Sequence, residues 1–163
     1  MNNRKAKSEK RKFPRGTTLY EVAIVVLIMG ITSATILPRF SGSLGNRRAE
    51  AAARTLAADL NAARRQARMT GQSTSIAFSL PNNTYTITGV PDLDRHLNTI
   101  RVVSLVNGSL KATLSAVALN NGGMTISYNG YGVANTGGIV TVASGSIRKQ
   151  VRLDAATGLA TVP

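Results

Sequence analysis

Arg15-Gly16-Thr17-Thr18-Leu19-Tyr20-Glu21-Val22 opens the stretch whose reading decides the fold of this 163-residue chain. Residues 22–37 follow without a charge, and Pro38 and Arg39 close the run. Ahead of it stand Arg4, Lys5, Lys7, Lys10, Arg11, Lys12 and Arg15 against Glu9, a net +6 in the first 16 residues. From Thr17 to Pro38 there are 22 residues, and at about 1.5 Å per helical residue they reach roughly the 30 Å of a bilayer's hydrocarbon core. The basic flank predicts a cytoplasmic N-terminus, with the rest of the chain across the membrane. A secretory signal has a shorter apolar run and a small-x-small cleavage site after it; here Ser33 and Ala34 lie inside the run. On composition alone a plain single-span anchor remains an alternative.

Glu21 narrows the reading. An ionisable side chain within a membrane segment is costly and is functional by default. Glu21 is the fifth residue after Gly16. A cut after Gly16 leaves it one turn from a new α-amino group, at a helix end that favours a carboxylate. The amine of a neighbouring subunit then offsets much of the cost of desolvation.

The junction Arg15-Gly16-Thr17-Thr18-Leu19-Tyr20-Glu21-Val22 resembles the leader junction of type IV pilins and type II secretion pseudopilins. The resemblance implies cleavage after Gly16 by prepilin peptidase and N-methylation of Thr17. It also implies a role for Glu21 in assembly, and a helix weakened at Gly30 and Pro38, where glycine and proline disturb helical bonding. Thr17 and Tyr20 stand where that family usually has phenylalanine and an aliphatic residue.

The helical pattern resumes beyond Pro38. Ala49, Ala53, Leu56, Leu60, Ala63 and Ala67 recur at spacings of three and four, an apolar stripe, while Arg47, Arg54, Arg65 and Arg68 fall off it. Those arginines fit a solvated face or a contact with another subunit or lipid headgroups. Ser41-Gly42-Ser43-Leu44-Gly45-Asn46 is a candidate joint between two helical halves, and Gly71 a natural stop.

From residue 72 the texture turns to short β-branched runs separated by Gly, Asn and Pro. Candidate strands are 73–79, 84–88, 99–106, 110–119, 124–128, 138–143, 147–154 and 159–162. The predicted fold is therefore α+β: one long helix, transmembrane and kinked in its first half, packed on an antiparallel sheet or sandwich. The predicted organisation is a leader over 1–16, a transmembrane half-helix over 17–38, a soluble half-helix over 39–71 and a periplasmic β-domain over 72–163.

Loose patterns spread over most of the chain are similar to the H-type (GspH/FimT-like) minor pseudopilins and minor pilins. They are the run Asp59-Leu60-Asn61-Ala62-Ala63-Arg64-Arg65-Gln66-Ala67-Arg68, the turn Ser127-Tyr128-Asn129-Gly130-Tyr131-Gly132, and the basic strand and hairpin from Arg148 to Gly158. This resemblance implies a structural filament subunit of the inner membrane and periplasm, itself a substrate of prepilin peptidase and not an enzyme. Its implied partners are other pseudopilins or pilins, and a secreted substrate or the secretion channel.

Chemistry of other kinds finds little support. There is no cysteine, so no disulfide scaffold, thiolate site or cysteine nucleophile. His96 is the single histidine, and Asp92 and Asp94 do not complete a calcium loop. No phosphate-binding loop or nucleophile elbow occurs, so neither metal nor cofactor is expected. The net charge of +13 falls to +7 once the leader is set aside, which weakens a nucleic-acid reading drawn from basicity. One basic feature persists. In an extended 147–154, Arg148, Gln150 and Arg152 share a face, the arginines about 13 Å apart, a spacing that suits DNA phosphates. DNA is therefore the alternative partner, as in FimT-like pilins; the competing reading is the solvated face of an edge strand.

Overall fold

A computed structural model describes residues 18–90 and 100–163, with side chains throughout except those of 34–42. The leader, Gly16, Thr17, Asp92, Asp94 and His96 lie outside the described residues. The chain divides into two compact units, Met1–Arg39 and Phe40–Pro163.

Helix α1 covers Leu19–Thr70 and is helical through both Gly30 and Pro38. Thr18 caps its first turn: Thr18 Oγ1 accepts the Glu21 N–H at 3.4 Å and the Thr18 carbonyl accepts it at 3.0 Å. Thr-x-x-Glu is the sequence signature of such a start. Within the first unit the apolar side chains are exposed all round the helix, Leu19 by 89% and Leu27 by 63%. Among the described residues no helix is long and apolar enough to cross a membrane; the described side chains of the apolar run end at Ser33.

The proposed joint at 41–46 is helical instead. The physical reason is local. A Cβ on Gly45 would stand 3.2 Å from the Ser144 carbonyl and 3.7 Å from Ile147, so glycine brings this turn close to the following sheet. The stripe predicted from sequence is fully buried: Ala49, Ala53, Leu56, Leu60, Ala63 and Ala67 are all at 0% exposure. The arginines off the stripe are exposed, and Arg54 pairs with Glu50 one turn away. The helix stops at Thr70, just before Gly71.

Eight strands follow among the described residues: β1 Thr74–Ser79, β2 Thr84–Thr88, β3 Ile100–Ser104, β4 Thr113–Leu119, β5 Thr125–Tyr128, β6 Gly138–Ser144, β7 Ile147–Leu153 and β8 Ala160–Thr161. They form two antiparallel sheets, ordered β3-β2-β1-β5 and β4-β6-β7-β8. The second half of α1 and both sheets contribute to one core, in which Leu56, Leu60, Ile76, Ile87, Ile126, Val140 and Val151 are sealed.

Polar side chains tie the layers together. Asn61 on the helix bonds both backbone groups of Ala160, donating at 2.9 Å and accepting at 3.1 Å, and so stands in for a strand neighbour of β8. Thr74 donates to the Ala63 carbonyl at 3.0 Å. Asn83, in the left-handed region at φ 51°, accepts the Leu114 N–H on its side chain at 2.9 Å and the Leu105 N–H on its carbonyl at 3.1 Å. Asparagine tolerates that conformation better than most residues, and here it links the two sheets.

Candidate functional site

The described residues singled out in the sequence fall into two places, and the fold adds a third. Glu21 lies in the first turn of α1 with an exposed side chain. A carboxylate there complements the partial positive charge of the helix N-terminus. Exposed leucines, valines and isoleucines surround it: Val22, Val25, Val26 and Ile28 are each about half exposed or more. Thr32 and Ser33 turn their hydroxyls back to the helix, Ser33 donating to the Met29 carbonyl at 2.7 Å. That bonding hides polar groups that an apolar surrounding would penalise. Gly30 has open space where a Cβ would sit, and the Pro38 side chain is outside the described set.

The second place is β7. Its burial alternates as the sequence predicts, with Arg148, Gln150 and Arg152 exposed and Val151 and Leu153 buried. It is an edge strand over residues 147–151 and covered only at its end. β6 pairs along its whole length, and β8 pairs with Arg152 and Leu153 on the other side. Across the outer face the arginines stand opposite small or apolar residues, Arg148 opposite Ala143 and Arg152 opposite Ile139. Arg152 also borders a depression of about 420 Å³ shared with Asn120, Ile139 and Asp154. The Asp154 carboxylate is held below the usual range by the Thr157 hydroxyl, the Ala156 N–H and the charge of Arg152. This carboxylate beside Arg152 works against binding an anion there.

The third place holds residues the sequence reading did not pick out. Asp59 is buried at 8% exposure. It accepts the Tyr85 hydroxyl at 2.6 Å and pairs with Arg101 of β3 at 3.3 Å. Burial pushes the Tyr85 hydroxyl well above its ordinary range, and the Asp59 charge and hydrogen bond add to it. The triad pins helix to sheet and offers no open substrate site. Its signal was present in the spacing: Asp59 lies three residues after Leu56 and four before Ala63, on the buried stripe. Among the described residues no group of three or more His, Cys, Asp or Glu side chains could hold a metal ion.

A long helix whose second half closes one face of two antiparallel sheets, with exposed apolar turns at its start, defines the pilin class of filament subunits. Residues 52–157 match the family described as type II transport protein GspH, and the chain belongs to that family. Its members are structural subunits and not enzymes. The type IV minor pilin FimU of Pseudomonas aeruginosa has a similar fold, with a TM-score of 0.53 at 15% identity over 72% of this chain and 90% of that one. No curated protein sequence matches the chain significantly.

Proposed function

We propose that the chain is a minor pseudopilin or pilin, made as a precursor, cut after Gly16 by prepilin peptidase and methylated on Thr17. Residues 17–38 hold it in the inner membrane, with the N-terminus cytoplasmic and the β-domain periplasmic. It then joins a filament through lateral packing of the apolar half-helices, where Glu21 meets the amine of an adjacent subunit. Its partners are the peptidase, other pseudopilins or pilins, and a secreted substrate or the secretion channel.

The observation that carries this reading is the first unit itself. Apolar side chains from Leu19 to Ile31 are exposed around the whole helix, a surface too large to leave in water. One carboxylate, Glu21, sits at its start. Both features are accounted for if a bilayer first, and neighbouring helices later, cover the apolar side chains while an amine meets the charge.

Mass spectrometry of the chain purified from cells with and without prepilin peptidase tests the reading. The expected product starts at Thr17 and carries one added methyl group, and it is lost without the enzyme. A chain that still starts at Met1 in peptidase-positive cells overturns the reading.

A second reading, a DNA-binding minor pilin, is supported by the outward pair Arg148 and Arg152 on β7. It requires salt-dependent DNA binding by the full chain in detergent, weakened by Arg148→Ala with Arg152→Ala. No binding at low salt ends it.

A further inference from the structure

Of the described aromatic side chains in the unit Phe40–Pro163, Tyr85 and Tyr128 are fully buried and Phe78 is nearly so, whereas Tyr131 is 85% exposed. Its loop is tightly built. The Asn129 side-chain oxygen accepts the N–H groups of Tyr131 and Val133, each at 3.0 Å. The Gly132 N–H donates to the Asn129 carbonyl at 2.7 Å, and the Asn129 N–H to the Val133 carbonyl at 3.1 Å.

The loop is also seated against the end of α1. A Cβ at Gly130 would overlap the Gly71 carbonyl, and one at Gly132 would fall 2.5 Å from Arg68 Cγ. Arg64 Nε donates to the Gly132 carbonyl at 3.3 Å. The β7–β8 turn closes the other side, where a Cβ on Gly158 would stand 2.6 Å from the Gly132 oxygen. Tyr131 is thus an aromatic side chain on a loop braced from the helix end and from a hairpin.

Its surroundings share one character. Met69 is 81% exposed, Val133 46% and Leu159 44%; Arg68 lies against Gly132, and the exposed Arg65 and Met69 neighbour each other and Arg68 along the last turns of α1. The carboxylate of the β7–β8 turn, Asp154, is engaged by the Ala156 N–H at 3.0 Å and the Thr157 hydroxyl at 2.8 Å. The patch therefore combines an aromatic anchor, aliphatic neighbours and arginines that form no ion pair among the described residues. Tyr and Arg dominate interface hot spots, and a preformed loop lowers the ordering cost of binding. The arginine forks match carboxylates. Met69, Val133 and Leu159 would gain nothing from a phosphate backbone, which favours a protein partner over a nucleic acid.

We propose that Tyr131, with Met69, Val133 and Leu159, docks into an apolar pocket of an acidic protein partner whose carboxylates pair with Arg65 and Arg68. The inference is independent of leader cleavage and membrane insertion, so a chain that begins at Met1 would overturn the filament reading and leave this one standing.

The test places the photo-crosslinker p-benzoylphenylalanine at position 131 of the full chain in its own cells, and identifies the crosslinked peptide by mass spectrometry. The expected product is one protein, linked through a segment that carries carboxylates beside apolar residues. Arg65→Glu with Arg68→Glu lowers the yield about tenfold, the scale of losing one to two charge pairs, while the melting temperature of the chain is unchanged. Changing the carboxylates of the linked segment to lysine restores it. A crosslink to nucleic acid, to a segment without carboxylates, to several unrelated proteins or to nothing overturns the proposal, as does a yield indifferent to the charge reversal.

Discussion

Between Leu19 and Ile31, α1 leaves Val26 62% exposed and Leu27 63% exposed, whereas between Ala49 and Ala67 it buries Leu56 and Leu60 completely. Both stretches are helical and both are rich in apolar residues. They differ in how those residues are distributed. The earlier stretch is apolar on every side, so nothing marks a face for a sheet to cover. The later one keeps a narrow stripe of alanine and leucine and sets its arginines outside it. A stripe is satisfied by the protein's own strands, and an all-round apolar surface needs cover from elsewhere. The small stripe residues also let the helix approach the sheets closely, and Gly45 extends that approach toward Ser144.

The comparison breaks most clearly under truncation. Leu60→Ala should destabilise the folded unit by about 2–5 kcal/mol, the cost of a cavity in a packed core. Leu27→Ala, at an exposed position, should leave the melting temperature unchanged while weakening incorporation into a filament. Thermal unfolding of the full chain in detergent, followed by circular dichroism, reads both. An equal drop for the two variants would show that the first stretch has a partner within the chain.

Two carboxylates of α1, Glu21 and Asp59, sharpen the same contrast at a smaller scale. Glu21 is exposed in the first turn, while Asp59 is buried between Tyr85 and Arg101. Asp59→Ala leaves the Tyr85 hydroxyl without its acceptor and Arg101 without its ion pair, at a cost of about 1–3 kcal/mol. Asp59→Asn keeps an acceptor and should lose less. Glu21→Ala should change unfolding little. Denaturant titration of the three variants orders them, and a Glu21→Ala loss equal to that of Asp59→Ala would defeat the distinction.

The elements legible in the sequence were those with a period. The stripe from Ala49 to Ala67 and the alternation of β7 both follow from spacing, and each of the eight candidate strand segments overlaps an observed strand. The pairing of strands into two sheets was not legible, because it rests on contacts far apart in sequence, such as Asn83 with Leu105 and Leu114. For the same reason the cover of Arg152 and Leu153 was not legible: the short partner β8 reaches β7 through a hairpin and is held by Asn61 of the helix. The 41–46 segment was misread from its glycines and serines, since close packing on Ser144 outweighs their weak helix propensity. Tyr131 escaped notice because exposure depends on the fold, whereas the motif around it reads as an ordinary glycine turn.

The smallest effect separates two tyrosines of the buried core. Tyr85 donates to Asp59, while the Tyr128 hydroxyl has no hydrogen-bond partner among the described residues. Tyr85→Phe should therefore cost about 1 kcal/mol, and Tyr128→Phe should be neutral or slightly stabilising, since it removes a buried unpaired group. Burial pushes both hydroxyls above the ordinary tyrosine value, with Asp59 raising Tyr85 further and Arg64 opposing the rise at Tyr128. A folded-state value above the unfolded one means that the native chain holds the proton more tightly. This contribution is complete below pH about 10 and is lost as pH rises from there toward the folded-state values. Denaturation at pH 8 and at successive steps above 10 should show stability falling in the wild type and falling less in Tyr85→Phe. If Tyr128→Phe proves as costly as Tyr85→Phe at pH 8, the Tyr128 hydroxyl has a partner in solution, and the contrast between the two tyrosines is lost.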